Sequence, residues 1–264
     1  MASASTTTSS QSAHQEFFAL AAYQEGDTPW DIAAAQPAIV TALAKLAHRQ
    51  PVGTRQVVTE ASATPFDGLT ALDLGCGYGY HARLLAEHGF RAVGVDVSRA
   101  AVASARGRTC EEERSGMAGG ARSHVPEFVQ CDLLDSTAVA AALGGRRFDL
   151  LLDAATFHCF DDEERAAYMR TLQEVSHCGS RMLFLNFSDA EPGVDGCLPR
   201  RLTEREVRTS FGDRHGWAIQ SLEPGLYLHG YVATDGSVST SSSRARPNAW
   251  LAVVKRAEET PTHT

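Results

Sequence analysis

The sequence has no uninterrupted apolar run approaching the ~18 residues that a membrane-crossing helix needs, so no such helix is expected. The first Lys or Arg is Lys45, and the opening MASASTTTSSQSAHQ has no apolar stretch. A secretory leader is therefore not expected, and the missing Arg speaks against a transit peptide. Positive charge stays scarce: 24 Lys plus Arg stand against 32 Asp plus Glu, a formal net charge of -8. That balance disfavours affinity built on phosphate backbones or anionic lipid, so neither a nucleic acid nor a membrane is the expected partner. None of the six cysteines forms a CxxC pair or a zinc-like spacing. No metal site is expected, and free thiols in a reducing cytoplasm are the simplest reading.

What is present is an ordinary globular composition, 43% hydrophobic and 21% charged over 264 residues. Residues 1–14 are Ser/Thr-rich and expected to be disordered, as is the tail 257–264, leaving a single domain over 15–256. A helix is expected near 16–23 and another over 37–48, where Ile39, Leu43 and Leu46 share a face. Short apolar runs at 69–74, 92–96, 127–131, 148–153 and 182–187 then alternate with helical stretches, the signature of a parallel sheet with crossover helices. Ser98 reads as a cap for a helix over 99–106, and Asp161 to Glu164 place negative charge at the start of the next. The polar, glycine-rich segments 107–124 and 233–247 read as mobile surface insertions. Strands are expected again at 217–222 and 250–255.

The stretch Ala71-Leu72-Asp73-Leu74-Gly75-Cys76-Gly77-Tyr78-Gly79-Tyr80-His81 carries the chemistry. A strand ends, and a glycine-rich turn opens a helix, which lets backbone approach a ligand closely. Asp96 ends the next strand 21 residues after Gly75, the spacing at which an acid accepts ribose hydroxyls in doubly wound sheets. The dinucleotide fingerprint would need Gly or Ala at position 80, which is Tyr, and a pyrophosphate would avoid a nearby acid such as Asp73. An acid, a glycine loop and a second acid suit S-adenosylmethionine, which has an amino-acid end, a ribose and no phosphate.

The pattern resembles the class I S-adenosylmethionine-dependent methyltransferases over roughly residues 15–256. It is most similar to their small-molecule branch, which includes thiopurine, halide/thiol and heterocyclic-toxin methyltransferases. GDTPWD (26–31), LLLDAATFHCF (150–160), DDEERAAYMRTL (161–172) and RMLFLNFS (181–188) carry that likeness. The resemblance implies a doubly wound, mostly parallel seven-stranded sheet with an antiparallel edge hairpin. It implies that Asp73, Gly75, Cys76 and Gly77 line the methionine end of the cofactor and that Asp96 holds the ribose beside Val97. It implies that Asp132 and Leu133 meet the adenine, that Asp153, Ala154 and Ala155 floor the site, and that Trp30 closes it. The chain departs from many relatives in having Ser176-His177-Cys178-Gly179-Ser180 where a Lys-Pro-Gly-Gly turn is common.

Transfer of a sulfonium methyl asks mainly for alignment and exclusion of water. The expected acceptor is a small, aromatic or heterocyclic molecule methylated on sulfur or oxygen. A halide or thiol ion, or a non-catalytic nucleoside-binding role for the same fold, are the competing readings. His158, at the carboxyl end of the fourth strand, is the candidate base for a hydroxyl acceptor, and reads also as a pocket or packing histidine. Phe157, Phe160 and Tyr227 are candidates to flank the acceptor, with 189–203 and 223–232 as its lid. Asp73 and Asp132 read also as structural caps, and Trp30 as a core aromatic. Asp153-Ala154-Ala155-Thr156 lacks the Asn/Asp-Pro-Pro-aromatic signature of base methylation.

Overall fold

Strand-forming runs with apolar residues on both faces build a seven-stranded sheet in which the strands at 127–130, 91–96, 70–74, 148–154, 176–187, 248–256 and 217–226 lie side by side in that order. The computed structural model describes residues 23, 28–49, 65–115, 124–192, 199–232, 238–239 and 246–257. The expectations for 1–14, for most of the helix near 16–23, for 116–123 and for most of 233–247 and of the terminal tail lie outside these residues.

The elements are α1 (Pro37–Arg49), β1 (Thr70–Leu74), α2 (Tyr80–Glu87), β2 (Arg91–Asp96), α3 (Arg99–Ser115), β3 (Glu127–Gln130), α4 (Ser136–Ala142) and β4 (Phe148–Ala154). A single 3-10 turn (Phe157–Cys159) leads to α5 (Asp162–Val175), β5 (Ser176–Phe187), α6 (Glu204–Ser210) and β6 (Trp217–Leu226). The short pair β7 (Tyr231–Val232) and β8 (Val238–Ser239) precedes β9 (Asn248–Arg256). Strands β1 to β5 pair in parallel, while β9 runs antiparallel to both β5 and β6 and completes the edge.

Alternation along the strands divides the core. Leu72, Leu74, Leu151, Met182 and Phe184 face α4, α5 and α6, where Val139, Tyr168, Met169, Leu172 and Val207 pack on them. Ala71, Leu150, Leu152, Leu183 and Leu185 face the other way, onto Ile39, Leu43 and Leu46 of α1 and Leu85 of α2. Full burial of each such aliphatic side chain stabilises by ~1.5–3 kcal/mol. The charged start of α5 forms a capping box between Asp161 and Glu164.

Two boundaries differ from expectation. Helix α3 does not stop at residue 106 but continues to Ser115, so 107–115 is not an insertion. Ala101, Val102, Ala105 and Thr109 are all buried, and that stripe outweighs the cost of ~1 kcal/mol for a mid-helix glycine at 107. Ser98 caps this helix as expected, accepting from the Ala101 N–H at 3.3 Å. Residues 176–180 join β5 rather than forming a free turn, with a register shift between Phe148 and Leu150 on the partner strand.

Phe157 is a correction of a different kind. Its ring does not reach the cavity described below. It is wholly buried among Tyr168, Phe184 and Phe211, with centroids 5.7–6.0 Å away and the Arg165 guanidinium 4.7 Å over its face. The 3-10 turn at the end of β4 aims it into the core. Phe157→Ala should therefore cost about 3–5 kcal/mol of folding stability in a denaturant titration, whereas Phe157→Leu should cost far less and leave ligand affinity unchanged.

Candidate active site

The glycine loop is fixed from two sides. The N–H groups of Gly75 and Cys76 both donate to the Val95 carbonyl, at 2.8 and 2.9 Å, and the Thr156 hydroxyl donates to the Leu74 carbonyl at 2.7 Å. Gly75 has φ 72°, and a Cβ there would lie 2.1 Å from the Thr156 hydroxyl. Gly77 has φ 51°, and a Cβ there would meet the Tyr23 hydroxyl at 2.9 Å. A side chain at either position would collide with the residues packed on the loop, so backbone itself borders the adjoining cavity.

That cavity, about 550 Å³, lies at the carboxyl ends of β1, β2, β3 and β4. Asp96 lines it while 7% exposed, accepting from the N–H groups of Gly77 and Ser98 at 2.8 Å each. Burial raises its carboxyl above the usual range, against those two hydrogen bonds. Val97, Asp132 and Leu133 continue the wall. Asp132 accepts from the Leu134 N–H at 2.9 Å, but the cap of α4 is Asp135, which accepts from Ala138. Asp132 is therefore not that helix's cap, and its second oxygen takes no hydrogen bond among the described residues. Gly75, Cys76, Gly77 and Ala154 also line the cavity, as expected, and Trp30 lies over it.

Asp73 and Asp153 do not line the cavity; both sit beneath it. Asp73, 1% exposed, accepts from the Ala82 N–H of α2 at 3.0 Å. Burial, with Asp96 and Asp153 adding to it, lifts its carboxyl from 3.8 to about 8. Asp153 is buried completely and receives Tyr168 Oη at 2.7 Å, Asn186 Nδ2 at 3.0 Å and the N–H groups of Thr156 and Phe157. It ties β4 to β5, α5 and the 3-10 turn, which is why a direct ligand role gives way to a supporting one. Among the described lining residues there is no Lys or Arg. Buried acids without a basic wall suit a cationic ligand with a diol and repel a pyrophosphate. The residues present thus fit S-adenosylmethionine.

The far end of the cavity is apolar and aromatic. Phe160, Phe187 and Tyr227 line it together with Cys159, His158 and His229. Phe187 is central: its ring centroid lies 4.4 Å from His158, 5.4 Å from His229 and 5.7 Å from Tyr227. His158 Nδ1 accepts the Phe187 N–H at 3.1 Å, and burial holds its pKa well below 6.5. His81, nearer the loop, accepts the Gln36 N–H on Nε2 at 3.0 Å, and burial lowers it to about 4. Neither imidazole is charged at neutral pH.

Tyr23, Gln36 and Phe187 were not anticipated. Tyr23 packs edge-on against both Trp30 and Tyr78, at 5.9 and 5.2 Å, and covers the loop. Gln36 clamps the backbone of Leu228 with two hydrogen bonds of 2.8 Å, tying the start of α1 to the segment bearing Tyr227 and His229. Only Phe187 had a readable signal, since residues 183, 185 and 187 share the sheet face that packs on α1. Among the described residues no group of three His, Cys, Asp or Glu could hold a metal, and no helix is long and apolar enough to cross a membrane.

The state of Asp73 is testable. Its folded-state pKa is raised, so in the protein free of cofactor its contribution to stability is full below about pH 4 and is lost as the pH climbs towards 8. Asp73→Asn keeps an acceptor for Ala82 and cannot ionise. Thermal unfolding should show the variant several degrees more stable than the parent at about pH 8.5, with the gain gone at about pH 4.

Residues 14–234 match the family described as Thiopurine S-methyltransferase (TPMT). A 2-heptyl-1-hydroxyquinolin-4(1H)-one methyltransferase of Mycobacteroides abscessus is 28% identical over 186 residues, 69% of this chain and 74% of that protein. A structure solved in work on the conversion of a disulfide bond into a thioacetal group during echinomycin biosynthesis superposes with a TM-score of 0.64 at 25% identity, covering 93% of this chain and 94% of that one. The Burkholderia thailandensis 1,6-didemethyltoxoflavin-N1-methyltransferase, solved with 1,6-didemethyltoxoflavin and S-adenosylhomocysteine, shares the fold with a TM-score of 0.57 at 17% identity over 93% and 87% of the two chains. With these matches and a crevice suited to a cationic nucleoside, the chain belongs to the thiopurine S-methyltransferase family and is an S-adenosylmethionine-dependent methyltransferase of small molecules.

Proposed function

We propose that this enzyme methylates a sulfur or oxygen atom of a compact aromatic or heterocyclic molecule. One observation carries the reading: the acid-lined crevice and the aromatic chamber around Phe187 are a single continuous cavity. A flat acceptor between Phe160, Phe187 and Tyr227 would face the same opening as a cofactor seated on the loop. The relative from Mycobacteroides abscessus, whose name specifies a hydroxylated quinolinone, supports an aromatic heterocycle.

Within this reading Asp96 receives the ribose hydroxyls, Val97 and Leu133 flank the adenine, and the free oxygen of Asp132 accepts its amino group. The backbone of Gly75, Cys76 and Gly77 meets the methionine end, with Asp73 and Asp153 holding that wall in place from behind. Trp30 and Tyr23 close the cofactor end, and electron-rich rings there suit a cation. S-adenosylmethionine supplies an electrophilic methyl: the acceptor's lone pair forms the new bond to carbon, and the carbon–sulfur pair leaves on sulfur. The protein's share is alignment and dryness, and alignment can supply about 7–11 kcal/mol.

Calorimetry with S-adenosylhomocysteine and with NAD tests the cofactor roles. The parent should bind the first and not the second, and Asp96→Ala should weaken it at least about tenfold, the loss of a charge-assisted hydrogen bond to a ribose hydroxyl. Unchanged affinity in the variant would reject the ribose role. Labelled-methyl transfer to a panel of aromatic thiols, phenols and halide ions tests the acceptor: transfer to halide alone would overturn the aromatic reading.

A further inference from the structure

His158 was read as a candidate base and also as a pocket or packing histidine, and its ring is held the wrong way for a base. Its Nδ1 accepts the Phe187 N–H, so the neutral ring carries its hydrogen on Nε2. That Nε2 has no hydrogen-bond partner among the described residues, and His158 lines the cavity. Taking a proton from an acceptor on Nε2 would require the other tautomer, in which Nδ1 and the Phe187 N–H would both be donors facing each other. The backbone N–H of His158 is itself fixed on Asn186 Oδ1 at 3.1 Å, and its carbonyl accepts the Arg200 N–H at 2.7 Å, so the backbone that carries the ring is held in place.

The charges around this imidazole point the same way. From the segment before α6, the Arg201 guanidinium lies 5.0 Å over the Phe187 ring. It bonds only to the carbonyls of Pro199 and Pro192, its Nε is buried without a partner, and it makes no ion pair among the described residues. Arg165 of α5, which is ion-paired with Glu206 of α6 at 3.5 Å, and His229 add weakly to the same field. Of the acids on the surrounding elements, Asp153 is saturated by four groups of donors and Glu191 is engaged by Asn248. Asp31, which accepts from the Ala33 N–H at 2.7 Å, faces Tyr227 from the N-terminal segment. The thiol of Cys159 is pushed up by burial and stays neutral.

We propose that the acceptor binds and reacts as its conjugate base, received by the Nε2–H of His158 within the field of Arg201, so that no side chain removes a proton during transfer. The acceptors are then weak acids such as aromatic thiols and acidic aromatic hydroxyl compounds. Their proton goes to solvent before binding. The balance is complete: an anion and a sulfonium cation become a neutral methyl thioether or ether and neutral S-adenosylhomocysteine. Two opposite charges disappear in a low-dielectric cavity, which favours the step. The inference rests on the methyl-transfer reading above, but its test separates the two.

The experiment is a spectrophotometric pH titration of 4-nitrophenol and of 4-nitrothiophenol bound to the protein saturated with S-adenosylhomocysteine. The proton affinity of each bound probe should fall about tenfold or more relative to free solution. His158→Gln, which retains an N–H donor, should keep most of that change; His158→Phe should lose it; Arg201→Met should reduce it; Asp31→Asn should leave it in place. S-adenosylhomocysteine affinity reports that each variant is folded. An unchanged or increased proton affinity, or an effect abolished by Asp31→Asn and not by His158→Phe, would overturn the proposal. Labelled-methyl transfer to the same two compounds distinguishes the failures: transfer with no lowered proton affinity removes the anion site alone, and lowered affinity with no transfer removes the aromatic sulfur-or-oxygen acceptor reading alone.

Discussion

The organising constraint of this protein is the burial of carboxyl groups at the carboxyl edge of the sheet with no Lys or Arg among the described residues of the cavity wall beside them. Asp73, Asp96 and Asp153 are each satisfied by N–H or O–H donors from the surrounding fold, and burial raises all three carboxyls above the ordinary range. Hydrogen bonds keep them in place, while burial favours their uncharged forms, most strongly at Asp73. A ligand that brings its own positive charge and two hydroxyls completes the arrangement, and a phosphate would oppose it. The glycine loop follows from the same need, because such a ligand must come within contact of backbone to lie between Asp96 and the floor of the site.

The rest of the fold holds that edge still. The two apolar faces of the sheet are covered by α1 and α2 on one side and α4, α5 and α6 on the other, so each strand end is fixed by packing from above and below. Asp153 joins β4 to β5 through Asn186 and to α5 through Tyr168. Gln36 joins the first helix to the segment carrying Tyr227 and His229. The aromatic chamber is therefore assembled from residues between 158 and 229 and positioned by hydrogen bonds away from the chemistry, one of them reaching back 192 residues to Gln36, the arrangement a transfer reaction governed by alignment requires.

Much of this was legible from sequence, for identifiable reasons. The loop at 75–79 and Asp96 were readable because a strand, a glycine turn and an acid at fixed spacing have one geometric meaning in a parallel sheet. The expected strands differ from the observed ones by a residue or two except at β5, whose start reaches back to Ser176 opposite Phe148 of β4, and at β6, which pairing with β9 extends to Leu226. Phe157 was misplaced because a 3-10 turn of three residues has no periodicity to reveal which of Phe157 and Phe160 turns inward. The length of α3 was missed because its polar composition concealed a stripe of small buried residues. Tyr23 and Gln36 act through contacts across 55 and 192 residues, which no local pattern encodes. The tautomer of His158 is likewise a tertiary fact, set by the backbone of β5.

The most direct test of the account is a crystal structure of the protein with S-adenosylhomocysteine. The account predicts both ribose hydroxyls on the Asp96 carboxylate, the adenine between Val97 and Leu133, and the amino-acid end against the backbone of Gly75 to Gly77. A nucleoside bound elsewhere with Asp96 untouched would contradict it.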